Sequence, residues 1–95
     1  MKLILAILRD DAVDSVSHAL IDRKYTVTQI STAGGFLRRG STTLVIGVDN
    51  DQVDEALTLI RGATEHLPRA EGRTESGSHN PATVFVLNAA DFIQV

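Results

Sequence analysis

The sequence predicts an α+β domain in which two helices cover one face of a four-stranded antiparallel sheet, and three observations predict it. Four short runs are dense in aliphatic and β-branched residues, two intervening stretches repeat apolar residues at helical spacing, and the order in which they follow one another is βαββαβ. That order is the ferredoxin-like arrangement. At 95 residues the chain is the length of a single domain spanning 1–95, large enough to bury a modest core without disulfides or metal staples.

The first element is a buried strand from Lys2 to Leu8, "KLILAIL". An apolar run behind one lysine superficially resembles a signal peptide, but Asp10 and Asp11 follow at once and no small-residue cleavage site appears, so a strand is the better reading. Asp10 or Asp11 is placed to cap a helix running to about Arg23, with Ala12, Val13, Val16, Ala19 and Leu20 on its apolar side. Tyr25 to Thr32 is rich in Thr, Val and Ile and reads as the second strand, and Thr42 to Val48 as the third. Asp49 or Asn50 then caps a second helix whose inner face holds Val53, Ala56, Leu57, Ile60 and Ala63, with Gly62 weakening its end. Thr83 to Leu87 is the fourth strand. Between the second helix and that strand, about residues 64–82, the chain is polar, contains both prolines and lacks periodic apolar residues, which predicts a flexible loop or one ordered only by a ligand or partner.

Strands one, three and four carry apolar residues at both alternating sets of positions. Helices on one face bury only one set, so the other face needs a partner, because soluble monomers rarely expose apolar patches above a few hundred Å². The pattern therefore predicts an oligomer, with a lipid or a different protein as the other occupants such a patch can take.

Composition excludes several classes. A net charge of -3 offers no basic excess for DNA or RNA, and the absence of cysteine removes disulfides, thiolate metal sites and cysteine nucleophiles. No apolar stretch approaches the roughly 18 residues of a membrane-spanning helix, so no membrane insertion and a cytoplasmic location are expected. His18, His66 and His79 lack metal-ligand spacing and read as solvated, and Asp49, Asp51, Asp54 and Glu55 cluster at a helix start where capping and the helix dipole account for them. With no nucleophile and base visibly paired, enzymatic activity, a metal site and a cofactor are not expected.

The informative stretch is "STAGGFLRRGSTT", residues 31–43, between the second and third strands. Gly35, four residues, then Gly40-Ser41-Thr42 resembles a phosphate-binding P-loop at first sight, but Ser41 stands where the lysine belongs and a strand rather than a helix follows. The stretch nevertheless collects groups suited to a nucleotide. Glycines let backbone N–H groups approach an anion, Arg38 and Arg39 carry positive charge, Ser41, Thr42 and Thr43 offer hydroxyls, and Phe36 with Leu37 can pack on a base. The plainer reading is that Gly34 and Gly35 turn the chain, Phe36 packs in a subunit interface and the arginines are solvated.

Over nearly its whole length the chain resembles the PII-like cyclic di-AMP receptor family, the PstA type. The resemblance is carried by "TAGGFLRRGSTTLVIGV", "DQVDEAL" and "ATVFVLNAADFIQV", in family order. It implies a homotrimeric, nonenzymatic signalling protein that binds a nucleotide, most simply cyclic di-AMP, in clefts between subunits, and signals to an effector protein that the sequence does not name. Carried over by position, it implies ligand contacts at Thr28, Gly35, Phe36, Leu37, Ser41 and Gly47, with Phe85 and Gln94 near the adenine. Two positions depart from familiar members, which have arginine at Thr26 and asparagine at Ser41. The first departure removes a charged phosphate contact and the second an amide able to read a base, so another adenine nucleotide, or a scaffold without a nucleotide ligand, is the alternative to cyclic di-AMP. The loop at 64–82 is also shorter than in familiar members, which points to a different output partner.

Overall fold

The computed structural model describes residues 1–30, 41–67, 80–90 and 93. Strand β1 (Lys2–Arg9) leads through a short 3-10 turn at Asp10–Ala12 into helix α1 (Val13–Asp22). Strands β2 (Val27–Ile30) and β3 (Ser41–Val48) follow, then a second 3-10 turn at Asn50–Gln52, helix α2 (Val53–Thr64) and strand β4 (Ala82–Asn88). The four strands form one antiparallel sheet in the order β2-β3-β1-β4. This is the βαββαβ ferredoxin-like fold that the element order predicts.

Strand alternation sorts the sheet into two faces. Ile4, Ala6 and Leu8 of β1 and Leu44, Ile46 and Val48 of β3 turn to the helices and are buried with Ala12 of the first 3-10 turn, Val16 and Leu20 of α1, and Ala56 and Ile60 of α2. The odd-numbered residues of β1 and β3 fall on the opposite face, which no element among the described residues covers.

Element ends differ from the expected ones for local reasons. Asp10 and Asp11 do not cap the first helical segment; Arg9 precedes it, and the Asp11 carboxylate is held instead by the Arg9 guanidinium through Nε to Oδ1 at 2.8 Å and Nη2 to Oδ2 at 2.9 Å. At the second helical segment Asp49 does form a capping box, its N–H donating to Gln52 Oε1 at 2.9 Å. Strand β2 begins at Val27, two residues later than predicted, because Lys24 takes a left-handed conformation (φ 71) and the Tyr25 N–H still donates to Leu20 O. Of the predicted strand's far end, Ser31 and Thr32 lie outside the described residues.

Tyr25 is consequently a core residue. Its side chain is buried and its hydroxyl donates to Glu55 Oε1 at 2.5 Å, while Arg23 donates from Nη1 to Glu55 Oε2 at 2.9 Å. Burial first, and the neighbouring Glu55 carboxylate second, push the Tyr25 phenol up to about 12. This cluster ties the turn before β2 to the first turn of α2.

The stretch expected to be a loop at 64–82 is bounded by ordered residues. Thr64 is the last residue of α2 and only 2% exposed, its Oγ1 donating back to Ile60 O and Arg61 O at 3.1 Å each. Leu67 packs against the core, Pro81 is fully buried with its carbonyl accepting from Arg9 N–H, and Ala82 opens β4. The flexibility expected for the remainder falls on residues 68–79, outside the described ones.

Candidate functional site

The sheet register determines which predicted ligand residues share a surface. Thr28 on β2 opposes Val45 on β3, Val45 opposes Leu5 on β1, and Leu5 opposes Phe85 on β4, so these four form one row across the uncovered face. Gly47 opposes Leu3, whose other neighbour is Leu87, one row along. Ser41 opposes Arg9 at the far end of β3. Thr28, Ser41, Gly47 and Phe85 therefore lie on the same face, away from the helices. Thr26, just before β2, is exposed. Gly35, Phe36, Leu37 and Gln94 lie outside the described residues, as does most of the glycine-rich stretch.

Sharing a face does not make these residues neighbours. Thr28 and Phe85 stand on the two edge strands, three strand spacings or roughly 14 Å apart. Ser41 and Gly47 stand six positions apart on β3, roughly 20 Å at the rise of an antiparallel strand. One copy thus presents its candidate contacts dispersed over the face, Thr28 on the β2 edge, Phe85 on the β4 edge, and Ser41 and Gly47 towards opposite ends of the inner strand β3.

Between those edges the face is mainly apolar. Leu3, Leu5, Ile7 and Val45 are half-buried, while Ile30 and Leu87 are exposed and Phe85 is 50% exposed. An aromatic ring on an edge strand with half its surface open can pack on a planar base. Polar groups sit at the margins. Thr43 faces Ile30 and Ile7, Thr83 faces Ile7, and Ser41 faces Arg9.

Arg9 was not singled out from the sequence, although strand alternation places it on the same face as Ser41. Its fork to Asp11 raises the guanidinium's already high pKa through the hydrogen bond, and the same bond holds the Asp11 carboxyl below its usual range. The Arg9 side chain is partly and that of Asp11 largely open to solvent, so the pair orients the arginine more than it stabilises the fold. No helix among the described residues is long and apolar enough to cross a membrane.

A ferredoxin-like sheet with an uncovered apolar face, margins of hydroxyl groups and an exposed aromatic, and a connection between β2 and β3 whose sequence is glycine-rich, is a module suited to holding a ligand. Comparison with known proteins gives that class its particular form. The pattern described as "Cyclic-di-AMP receptor" matches residues 1–79, and the chain belongs to that family. It is a nonenzymatic signalling receptor for cyclic di-AMP. Among solved structures it is similar to a protein of unknown function from Pediococcus pentosaceus, with 35% sequence identity and a TM-score of 0.75 over 99% of this chain and 96% of the other.

Proposed function

We propose that the chain assembles as a homotrimer through the uncovered face of its sheet and binds cyclic di-AMP in the clefts between copies. The observation that carries this reading is that Thr28 and Phe85 stand on opposite edges of one largely apolar face, too far apart to hold one ligand within a copy. When such faces meet around an axis, the β2 side of one copy comes to lie beside the β4 edge of the next, and these residues converge. In each cleft Thr28, Ser41 and Gly47 supply one wall together with Gly35, Phe36 and Leu37, whose loop amides face phosphate. Phe85 and Gln94 supply the adenine side.

In this reading the bound ligand changes the surface of the chain beside the cleft, and the changed surface is what an effector protein detects. The setting is cytoplasmic, where a doubly charged nucleotide is retained by the membrane. A second reading, another adenine nucleotide in the same cleft, is favoured by Thr26 and Ser41, which present hydroxyls and no guanidinium or amide.

A panel of nucleotides tested for protection against thermal unfolding separates these readings, since a ligand selective for the folded state raises its stability. Cyclic di-AMP is expected to give the largest shift, and a larger shift from a mononucleotide favours the second reading. Phe36→Ala is expected to remove stacking of roughly 1–3 kcal/mol and to weaken binding about five- to 150-fold by calorimetry while assembly persists. Thr26→Arg, which adds a charge-assisted contact of about 1.5–3 kcal/mol, is expected to tighten cyclic di-AMP binding about ten- to 150-fold. No binding of any adenine nucleotide at millimolar concentration by either the unaltered chain or Thr26→Arg would mean that the stretch at 31–43 is a structural relic.

A further inference from the structure

Charge is distributed unevenly between the two sides of the sheet. Strand parity gives the uncovered face aliphatic and hydroxyl residues, Gly47 and Phe85, and among the described residues of its four strands it gives one ionisable side chain, Arg9. The other described cations of Lys and Arg type stand elsewhere. Lys2 has the parity of the covered face, where it donates to the Asn88 side chain, while Arg23 and Lys24 belong to the turn after α1 and Arg61 to α2.

Arg9 ends β1 and opposes Ser41, which opens β3, so their Cα atoms stand roughly 5 Å apart. Ile30 and Ser41 flank the glycine-rich sequence, and both stand at this end of the sheet. Thr26 stands at the other end, just before Val27, the partner of Ile46, and carries no charge. The fork to Asp11 fixes the plane of the Arg9 guanidinium through Nε and Nη2, and the side chain is still 27% exposed. Ordering a long side chain during folding spares that entropy when a ligand binds.

We propose that Arg9 binds a phosphate of cyclic di-AMP at the end of the cleft marked by Ser41. The assignment deepens the proposed function and rests on it. A doubly charged ligand lying on an apolar face is held best where that face carries its opposite charge. A planar guanidinium matches the two open oxygens of a phosphodiester, and such charge-assisted bonds are about twice as strong as those to whichever neutral acceptors share the group. The Ser41 hydroxyl, across the β1–β3 pairing, is a second donor for the same phosphate. The Asp11 carboxylate, on the Nε and Nη2 side, offsets part of the attraction, so the loss of Arg9 costs less than the loss of a lone charge.

Calorimetry with cyclic di-AMP on the full chain tests this. Arg9→Gln is expected to weaken binding about three- to 20-fold and to make it less sensitive to added salt, with the assembly state unchanged by light scattering. Arg61→Gln removes the same charge from an exposed position on α2 and is expected to bind as the unaltered chain does. Arg9→Lys keeps the charge without the planar fork and is expected to fall between the unaltered chain and Arg9→Gln. Where Arg9→Gln does not fold, Arg9→Lys decides, and unaltered affinity in it overturns the proposal. Unaltered affinity in a folded Arg9→Gln, or an equal loss in Arg61→Gln, overturns it too and leaves the proposed function standing. A native chain that binds no cyclic di-AMP at millimolar concentration overturns both.

Discussion

The two faces of the sheet both carry large apolar side chains and are opposite in fate. Along β1, Ile4, Ala6 and Leu8 are sealed beneath the helices, while Leu3, Leu5 and Ile7, no less apolar, remain partly open to solvent. Along β3 the same division separates Leu44 and Ile46 from Val45. Burial within one chain is decided by what stacks on a face and not by its composition. Hydrophobic residues at both parities of a strand are therefore accounted for by two separate burials, one completed by folding and one, in the proposed trimer, by association.

The contrast can be broken most forcefully at Leu5, in the middle of the uncovered face. Leu5→Asp puts a charge where the proposed trimer brings two apolar surfaces together, and the expected outcome by light scattering is a monomer, with the helical circular dichroism of the chain retained. A variant that still assembles would assign the interface elsewhere. Leu44→Ala, on the covered face and fully buried, is expected to lower stability by about 2–5 kcal/mol in denaturant titration, through lost burial and the cavity left behind. Its remaining folded population should associate as before, because the face it alters is internal to one copy. The smallest effect is expected at Gly62, which is exposed on α2 and where an added Cβ meets nothing within 4 Å. Gly62→Ala should raise stability by up to about 1 kcal/mol through helix propensity, read as an increase in Tm. A decrease would reveal that this side of α2 is occupied in the assembly.

Periodicity made the fold legible, since all four strands, both helices and their order follow from alternation and helical spacing. The ends were harder. Tyr25 has the composition of a strand residue, yet it is buried in the core before β2 begins, with its hydroxyl on Glu55, a contact 30 positions away that no local pattern encodes. Thr64 reads as the first residue of a polar loop, but a threonine can return its hydroxyl to the carbonyls of the preceding turn and so be buried at a helix end. The aspartates at 10 and 11 look like caps, and the competing partner, Arg9, precedes them by one and two positions. The candidate site was legible in residue type and only partly in place. Register puts Thr28, Ser41, Gly47 and Phe85 on one face, a relation that pattern alone reaches only once pairing partners are known, and the contacts at Gly35, Phe36, Leu37 and Gln94 lie outside the described residues.

The position of β1 has a consequence for how the molecule comes into being. Lys2 reaches the side chain of Asn88, 86 positions away, because the strand made first is enclosed between β3 and the strand made last of the four. Closing such a sheet meets the entropy of a long loop before its pairing is rewarded, which slows folding relative to chains of the same length with local contacts. During synthesis "KLILAIL", apolar on both sides and without a proline or glycine, can pair with β3 but keeps its other edge open until β4 has been added. A segment of that character is prone to stick to other chains, so in the growing polypeptide it is the stretch that molecular chaperones have most reason to hold.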